Sequence, residues 1–303
     1  MRRKIITLSD STYVVTLPIE WIRTHGVKKG DDINLEENSK GLIISLPHLT
    51  SSEKRQVKIN ITNLEERVIR WQLSALHKTG YDEIEILLHP SQKQLIYELM
   101  KDLFTGFNVT SETENSVCLK SISIEDKNEF DAALRRAFRI TILMGQELWS
   151  YLEENEYNLT KLNTIKEKEL LNNQLTNFCQ RLINKNKIVS KNTTFIYTVA
   201  WNLEKVCDNY KYIINHILNN QEYLASKEIL ELFKQVNNYL EDYYNLFYDF
   251  NIVKLNDINK SMQNFKKIIT KQKNDLLSEY LFILITQIND FSASIIALNV
   301  NSF

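Results

Sequence analysis

Glycine and proline are scarce, and the places they avoid are informative. The 303 residues hold six glycines and three prolines, and from residue 146 to the C-terminus there is neither. Tight hairpins need residues that accept positive φ, so a sheet-rich fold is excluded from that half, and long helices are the economical alternative. Cysteine is scarce too. Cys118, Cys179 and Cys207 are odd in number, far apart and outside any Cys-x-x-Cys pair. That excludes a disulfide scaffold and a zinc ribbon, and fits a reducing cytoplasm. No charge of one sign dominates: the net is −1, so any nucleic-acid footprint must be local. No apolar run approaches the ~18 residues of a spanning helix, and the longest are stretches such as Leu281 to Ile285. The start Met1-Arg2-Arg3-Lys4 is followed at once by Thr7, Ser9 and Asp10, so no secretory leader is read there. A cytoplasmic chain without a transmembrane segment is expected.

Apolar residues make up 43% and charged residues 25%, enough for a sizeable core and against wholesale disorder. The length suits two or three domains. The uneven glycine distribution predicts a multidomain α+β fold. A small β domain spans 1–50, an α/β segment 54–122, and an all-helical region 125–303, with a seam at 122–129.

In the first segment, Arg3 to Leu8 and Thr12 to Leu17 are rich in β-branched and aromatic residues around a Ser9-Asp10-Ser11 break, which reads as a hairpin. Pro18 pre-sets a helix start, Ile19 to His25 make a short helix, and Gly26 is placed to stop it in the left-handed conformation. Strands follow at 32–36 and 42–46, around Glu37-Asn38-Ser39-Lys40-Gly41. So little chain cannot bury enough surface alone, and two copies that interlock their hairpins are the remedy. Residues 1–30 carry Arg2, Arg3, Lys4, Arg23, Lys28 and Lys29 against Asp10 and Glu20, a local net of +4 that a dimer doubles. Cations on a strand pair can neutralise phosphates, and a two-stranded ribbon fits the major groove. The alternative is a basic end that merely solubilises.

The middle segment reads βαβαββ. A strand at 56–61 is followed by a helix opened by an Asn63/Glu66 capping-box spacing and running through Val68, Trp71 and Leu76 to Gly80. A strand at 83–88 precedes a helix from Pro90 with Leu95, Leu99 and Leu103 in line, and two strands follow at 107–112 and 116–122. It has no Gly-rich phosphate loop and no Gly-x-Ser-x-Gly, and His77 and His89 stand alone as surface or packing residues. No enzyme is expected here or in the helical region.

Helical spacing then marks Phe130–Leu152, Leu171–Leu182, Ile196–Ile217 and Leu281–Leu298, with two further helices at 222–251 and 256–273. Gly145 permits close helix approach. Six helices predict two antiparallel three-helix bundles, about 125–220 and 221–303. Leu203-Glu204-Lys205-Val206-Cys207-Asp208 aligns with Ile285-Thr286-Gln287-Ile288-Asn289-Asp290 as a weak repeat. Glu204 and Asp208, at i and i+4, share one helix face where carboxylates can hold a cation, and Glu169 with Asn173 offers a similar pair. Acidic residues at this spacing are also common on solvated faces. Arg135, Arg136 and Arg139 form a basic cluster, with Asp131 spaced to pair with Arg135.

Two resemblances follow from these residues. Arg3-Lys4-Ile5, the run from Tyr13 to Trp21 and the run from His25 to Asp31 look like a SpoVT/AbrB swapped-hairpin DNA-binding domain. The resemblance implies a homodimer through residues 1–50 that contacts DNA through Arg2, Arg3, Lys4 and Arg23; Tyr13 stands where Arg is frequent in that family. Trp201 to Tyr210 is similar to the Glu-Arg-Ile-Gly-Asp-His type helix of PhoU domains, and Glu129 to Phe138 resembles their opening helix. The three-part order resembles archaeal PhoU-family phosphate-uptake regulators across nearly the whole chain. This implies a divalent or ferric metal ion at helical carboxylates. Glu204 and Asp208 match, Glu169 and Asp290 are weaker candidates, Thr286 replaces an acid, Asn209 stands where His is frequent, and Lys211 adds a competing cation. It also implies phosphate-responsive regulation of DNA binding. The alternative is an adaptor that does not bind DNA, dimerises through its hairpins and docks on a phosphate ABC-transporter ATPase subunit or a sensor kinase.

Overall fold

The computed structural model describes residues 2–38, 41–46, 54–122, 128–154, 156–185, 192–270 and 276–302. The expected seam at 122–129 and the turn residues Ser39 and Lys40 lie wholly or mostly outside them. The fold is multidomain α+β, with a β-rich N-terminal part, a small α/β segment and an all-helical C-terminal region. The chain divides into two compact units, Met1–Lys54 and Arg55–Phe303.

In the first unit, β1 (Ile6–Ser9) pairs antiparallel with β2 (Thr12–Val14), Ile6 opposite Val14. The strands are shorter than the β-branched runs that signal them. Pro18 caps α1 (Ile19–Thr24), and Gly26, at φ 65°, lets the chain leave the helix through the left-handed region. Then β3 (Asn34–Asn38) pairs antiparallel with β4 (Gly41–Ser45). Each sheet has only two strands, an arrangement of marginal stability in isolation.

The second unit opens with β5 (Gln56–Asn60), α2 (Glu66–Lys78), β6 (Glu83–Leu87), a 3-10 turn at Pro90–Gln92, α3 (Lys93–Leu103), β7 (Phe107–Thr113) and β8 (Ser116–Ser121). The sheet order is β5-β6-β8-β7, parallel between the first two strands and antiparallel elsewhere. Strand alternation explains its two faces. Ile84, Ile86, Val117 and Leu119 pack with Ile69 and Leu73 of α2 and Ile96 and Leu99 of α3. The intervening Glu83 and Glu85 pair with Lys120 at 3.2 Å and Lys58 at 2.5 Å. The capping box expected at Asn63 is absent: α2 begins at Glu66 after Glu65, with no side-chain cap. The box forms instead where His89 and Gln92 cap the 3-10 turn.

The helical region comprises α4 (Glu129–Glu154), α5 (Leu159–Asn184), α6 (Thr193–Asn219), α7 (Lys227–Tyr248), α8 (Ile252–Ile269), α9 (Leu276–Asn289) and α10 (Phe291–Leu298). One continuous apolar cluster runs through all of them, from Phe130 to Ile295. The helix expected over 281–298 breaks at Asp290. A stretch long and apolar enough by length and composition to cross a membrane exists after all, Leu276–Leu298, with mean hydropathy 1.7. It gives Leu281, Leu284, Ile285, Ile288, Phe291 and Ile295 to the bundle core. Gly145 has the role its spacing suggests. A Cβ there would lie 2.6 Å from both Tyr210 and Asn237, whose side chains fill the space above it.

The α5 helix departs most from its apolar pattern. Leu182 is buried, but Leu171, Leu175 and Phe178 are only half-buried, while Asn172, Thr176, Asn177, Gln180 and Arg181 are fully enclosed. One side of α5 faces the bundle, where the Asn172 amide donates to Thr141 Oγ1 at 2.8 Å. The other side faces the ends of α2 and α3. There, Arg181 donates to the carbonyls of His77 (3.0 Å) and Tyr81 (2.7 Å), Asn184 to that of Lys78 (2.8 Å), Asn177 to that of Leu103 (3.2 Å) and Gln174 to that of Lys101 (2.5 Å). The last carbonyls of a helix have no partner within it. Here α5 supplies partners for two helices at once, which joins the α/β segment to the bundle.

Candidate functional site

The first candidate is the cationic end of the N-terminal unit. Arg2, Arg3 and Lys4 lead into β1 and Arg23 sits in the last turn of α1; all four are exposed. None has an ion-pair partner among the described residues. The apolar residues around them are exposed as well. Leu8 is 75% and Leu42 67% exposed, and Ile5, Ile6, Tyr13, Val14, Val15, Leu35 and Ile43 are exposed with them. Leu46 alone among this unit's described residues is buried. A large aliphatic side chain forgoes about 1.5–3 kcal/mol by staying in water. Two hairpins that both leave such residues bare are built to be covered.

The second candidate is the carboxylate cluster on α5 and α6. The structure brings Glu169, Glu204 and Asp208 together, and it brings lysines with them. Lys211 Nζ lies 2.6 Å from Glu169 Oε1 and 2.7 Å from Asp208 Oδ1. Lys78, from the α/β segment, reaches Glu204 at 3.2 Å, and Lys205 reaches Asp208 at 3.4 Å. Burial works against the Lys211 charge, yet Glu169 and Asp208 hold its pKa above the ordinary lysine value. A hard cation needs about six oxygens and no competing ammonium. The residues present do not fit a metal ion, and among the described residues no group of three or more His, Cys, Asp or Glu side chains is arranged to hold one. Asp290 is not in the cluster: it sits at the α9–α10 break, its N–H bonded to the Thr286 carbonyl at 3.1 Å. At Glu169, Glu204 and Asp208, where a metal ion is expected from the sequence, the ammonium groups of Lys78, Lys205 and Lys211 supply the positive charge.

Sequence reasoning missed a buried ionic junction. Asp82, just before β6, accepts from Arg181 at 2.6 Å and Lys185 at 2.6 Å, and from the Arg55 N–H at 3.1 Å. Arg181 is 1% exposed. Burial alone would raise the Asp82 pKa, but Lys185, the Arg55 N–H and Arg181 bring it below the usual carboxylate value. Beside them His77 is enclosed, its ring 4.9 Å from that of Phe104 and 5.4 Å from that of Phe107. Burial, then the charges of Arg181 and Lys78, hold its pKa well below 6.5. The available signal was a polar line at helical spacing, Asn173, Asn177, Arg181 and Asn184, within α5. The Arg135 cluster is a surface pairing: Arg135 meets Asp131 at 2.7 Å and lies 3.6 Å over the Tyr248 ring.

A family model described as "Antidote-toxin recognition MazE, bacterial antitoxin" matches residues 6–48. That stretch is the hairpin–helix–hairpin segment, and the match supports the swapped-hairpin class for it. No curated protein matches the chain. No solved structure matches it either.

Proposed function

We propose that this protein is a DNA-binding regulator that acts as a homodimer through residues 1–50, with the α/β segment and bundle as its partner-binding or sensing body. One observation carries the reading: a unit that matches the MazE antitoxin type leaves both its apolar hairpin residues and Arg2, Arg3, Lys4 and Arg23 exposed. Two copies that interleave the hairpins bury Ile6, Leu8, Leu35 and Leu42, and place two sets of cations on one molecule. The reading includes a cytoplasmic location and no catalytic activity.

The phosphate-responsive form of this reading rests on the likeness of Glu129–Phe138 and Trp201–Tyr210 to PhoU helices, which fall on α4 and α6. Without a fitting metal site, the helical region would relay phosphate status through a partner such as a transporter ATPase or a sensor kinase. A second reading has its own observation. Tyr13, on β2, exposes an aromatic ring where a DNA-reading strand favours a cation, and this suits an adaptor that dimerises without touching DNA. Light scattering joined to a gel-shift titration at low salt separates them. A dimer that retards DNA supports the first reading, a dimer that does not supports the second, and a monomer removes both.

A further inference from the structure

We propose that the cleft where α2, α5 and α6 converge is a binding site for a free mononucleotide. The cleft has a volume of about 420 Å³, within the range of small-molecule sites. Each helix contributes one face: Arg67, Arg70 and Trp71 from α2, Asn173 and Asn177 from α5, and Tyr212 from α6. Of the acidic residues lining it, Glu169, Glu204 and Asp208 are matched by Lys78, Lys205 and Lys211, and Asp102 of α3 by Arg70 at 3.2 Å. Three features remain unmatched, and each asks for a different part of one ligand.

The first is a cation. Arg67 has no carboxylate partner among the described residues; its guanidinium stands 5.0 Å over the Trp71 ring. A guanidinium held this way presents its free N–H groups to a phosphate. The second is a pair of aromatic faces on different helices. Trp71 is 59% exposed and Tyr212 is exposed too, although both line the cleft. Arg67 covers one face of Trp71, and Lys211 lies 5.5 Å over one face of Tyr212, so a base would stack on the opposite face of each ring. The third is a pair of hydrogen-bond acceptors. Asn173 spends its amide N–H on Glu169 at 2.8 Å, and Asn177 on the Leu103 carbonyl. The Oδ1 atoms of both are enclosed and have no donor among the described residues, and Asn177 is 2% exposed. A buried acceptor without a donor is costly, so a donor is expected to arrive from outside. An anion, a flat ring and amino N–H donors together describe a nucleotide whose base carries an exocyclic amine, and neither inorganic phosphate nor a simple amine supplies all three.

The test is calorimetric titration of the full chain with AMP, GMP, CMP and UMP, and with adenosine and inorganic phosphate as separate probes. AMP, GMP or CMP is expected to bind saturably, with UMP weaker because uracil has no exocyclic amine. Arg67→Ala should weaken nucleotide binding about tenfold, the size of one charge-assisted contact, and leave adenosine unchanged. Trp71→Ala should weaken both. Both side chains are on the surface, and an unchanged melting curve confirms that each variant folds. The proposal is overturned if no nucleotide binds at millimolar concentration, if inorganic phosphate binds as tightly as AMP, if UMP equals AMP, or if both variants bind as the parent does.

Discussion

Replacing Asp82 with Ala removes one carboxylate from beneath two cations. Arg181 and Lys185 each lie 2.6 Å from Asp82 Oδ1, and the Arg181 side chain is buried. Arg181 keeps the carbonyls of His77 and Tyr81, but its charge loses the Asp82 carboxylate in a site closed to water. Breaking a buried pair from one side costs about 3–5 kcal/mol; the two carbonyls that Arg181 keeps place this loss near the lower figure, about 3 kcal/mol. Denaturant unfolding of Asp82→Ala measures it directly. The double variant Arg181→Met/Asp82→Ala should be less destabilised than the sum of its singles, with a coupling of about 2 kcal/mol. The acid limb gives an independent reading. A carboxylate with a depressed pKa stabilises the fold above its ordinary range, and that stability disappears as pH falls through the native value. Asp82→Ala should therefore flatten the stability profile below about pH 4. A loss under about 1 kcal/mol, the worth of an exposed pair, would refute the claim that this junction holds the α/β segment to the bundle.

Other variants probe other parts of the account. His77 is kept neutral in the fold, so the unfolded chain takes up a proton first as pH falls below 6.5. Stability should drop by up to about 1.4 kcal/mol per pH unit there, and His77→Phe should remove that slope in an acid titration of unfolding. Gly145→Ala drives a methyl against Tyr210 and Asn237, which are linked by a 2.9 Å hydrogen bond. A net loss of about 2 kcal/mol is expected by chemical denaturation, despite the better helix propensity of Ala. Burial pushes the Cys179 thiol up to about 12, and burial with the nearby Glu169 and Asp208 carboxylates holds that of Cys207 well above the ordinary value, whereas Cys118 is half-buried. A thiol reagent should therefore label Cys118 in the native protein, and the other two only after unfolding. Lys211→Ala leaves Glu169 and Asp208 without their shared ammonium, so the variant should melt lower than the parent in a thermal scan.

Punctuation and periodicity made most of the architecture legible. The glycine-free half is helical, Gly26 stops α1, and the βαβαββ order follows strand by strand because alternation and helical spacing differ clearly there. What stayed hidden depends on partners distant in sequence. Apolar spacing in α5 points to Leu171 and Leu175, but the helix lies between two bodies, and its polar line serves helix ends more than 70 residues away. Asp82 gives no local sign that Arg181 and Lys185 will meet it. The carboxylates at Glu204 and Asp208 were visible at their spacing, and so was Lys211. That the lysine would neutralise the cluster, with Lys78 arriving from another segment, was decided by packing.

The central claim is that the N-terminal cations of two paired copies meet DNA phosphates. Its most direct measurement is the salt dependence of DNA affinity for the full chain and for Arg3→Ala/Lys4→Ala. If Arg2, Arg3, Lys4 and Arg23 act from both copies, the slope of log affinity against log salt should approach about −7, and the double variant should reduce its magnitude by about 4. Parallel lines for the two proteins, or no DNA binding at low salt, would contradict the account.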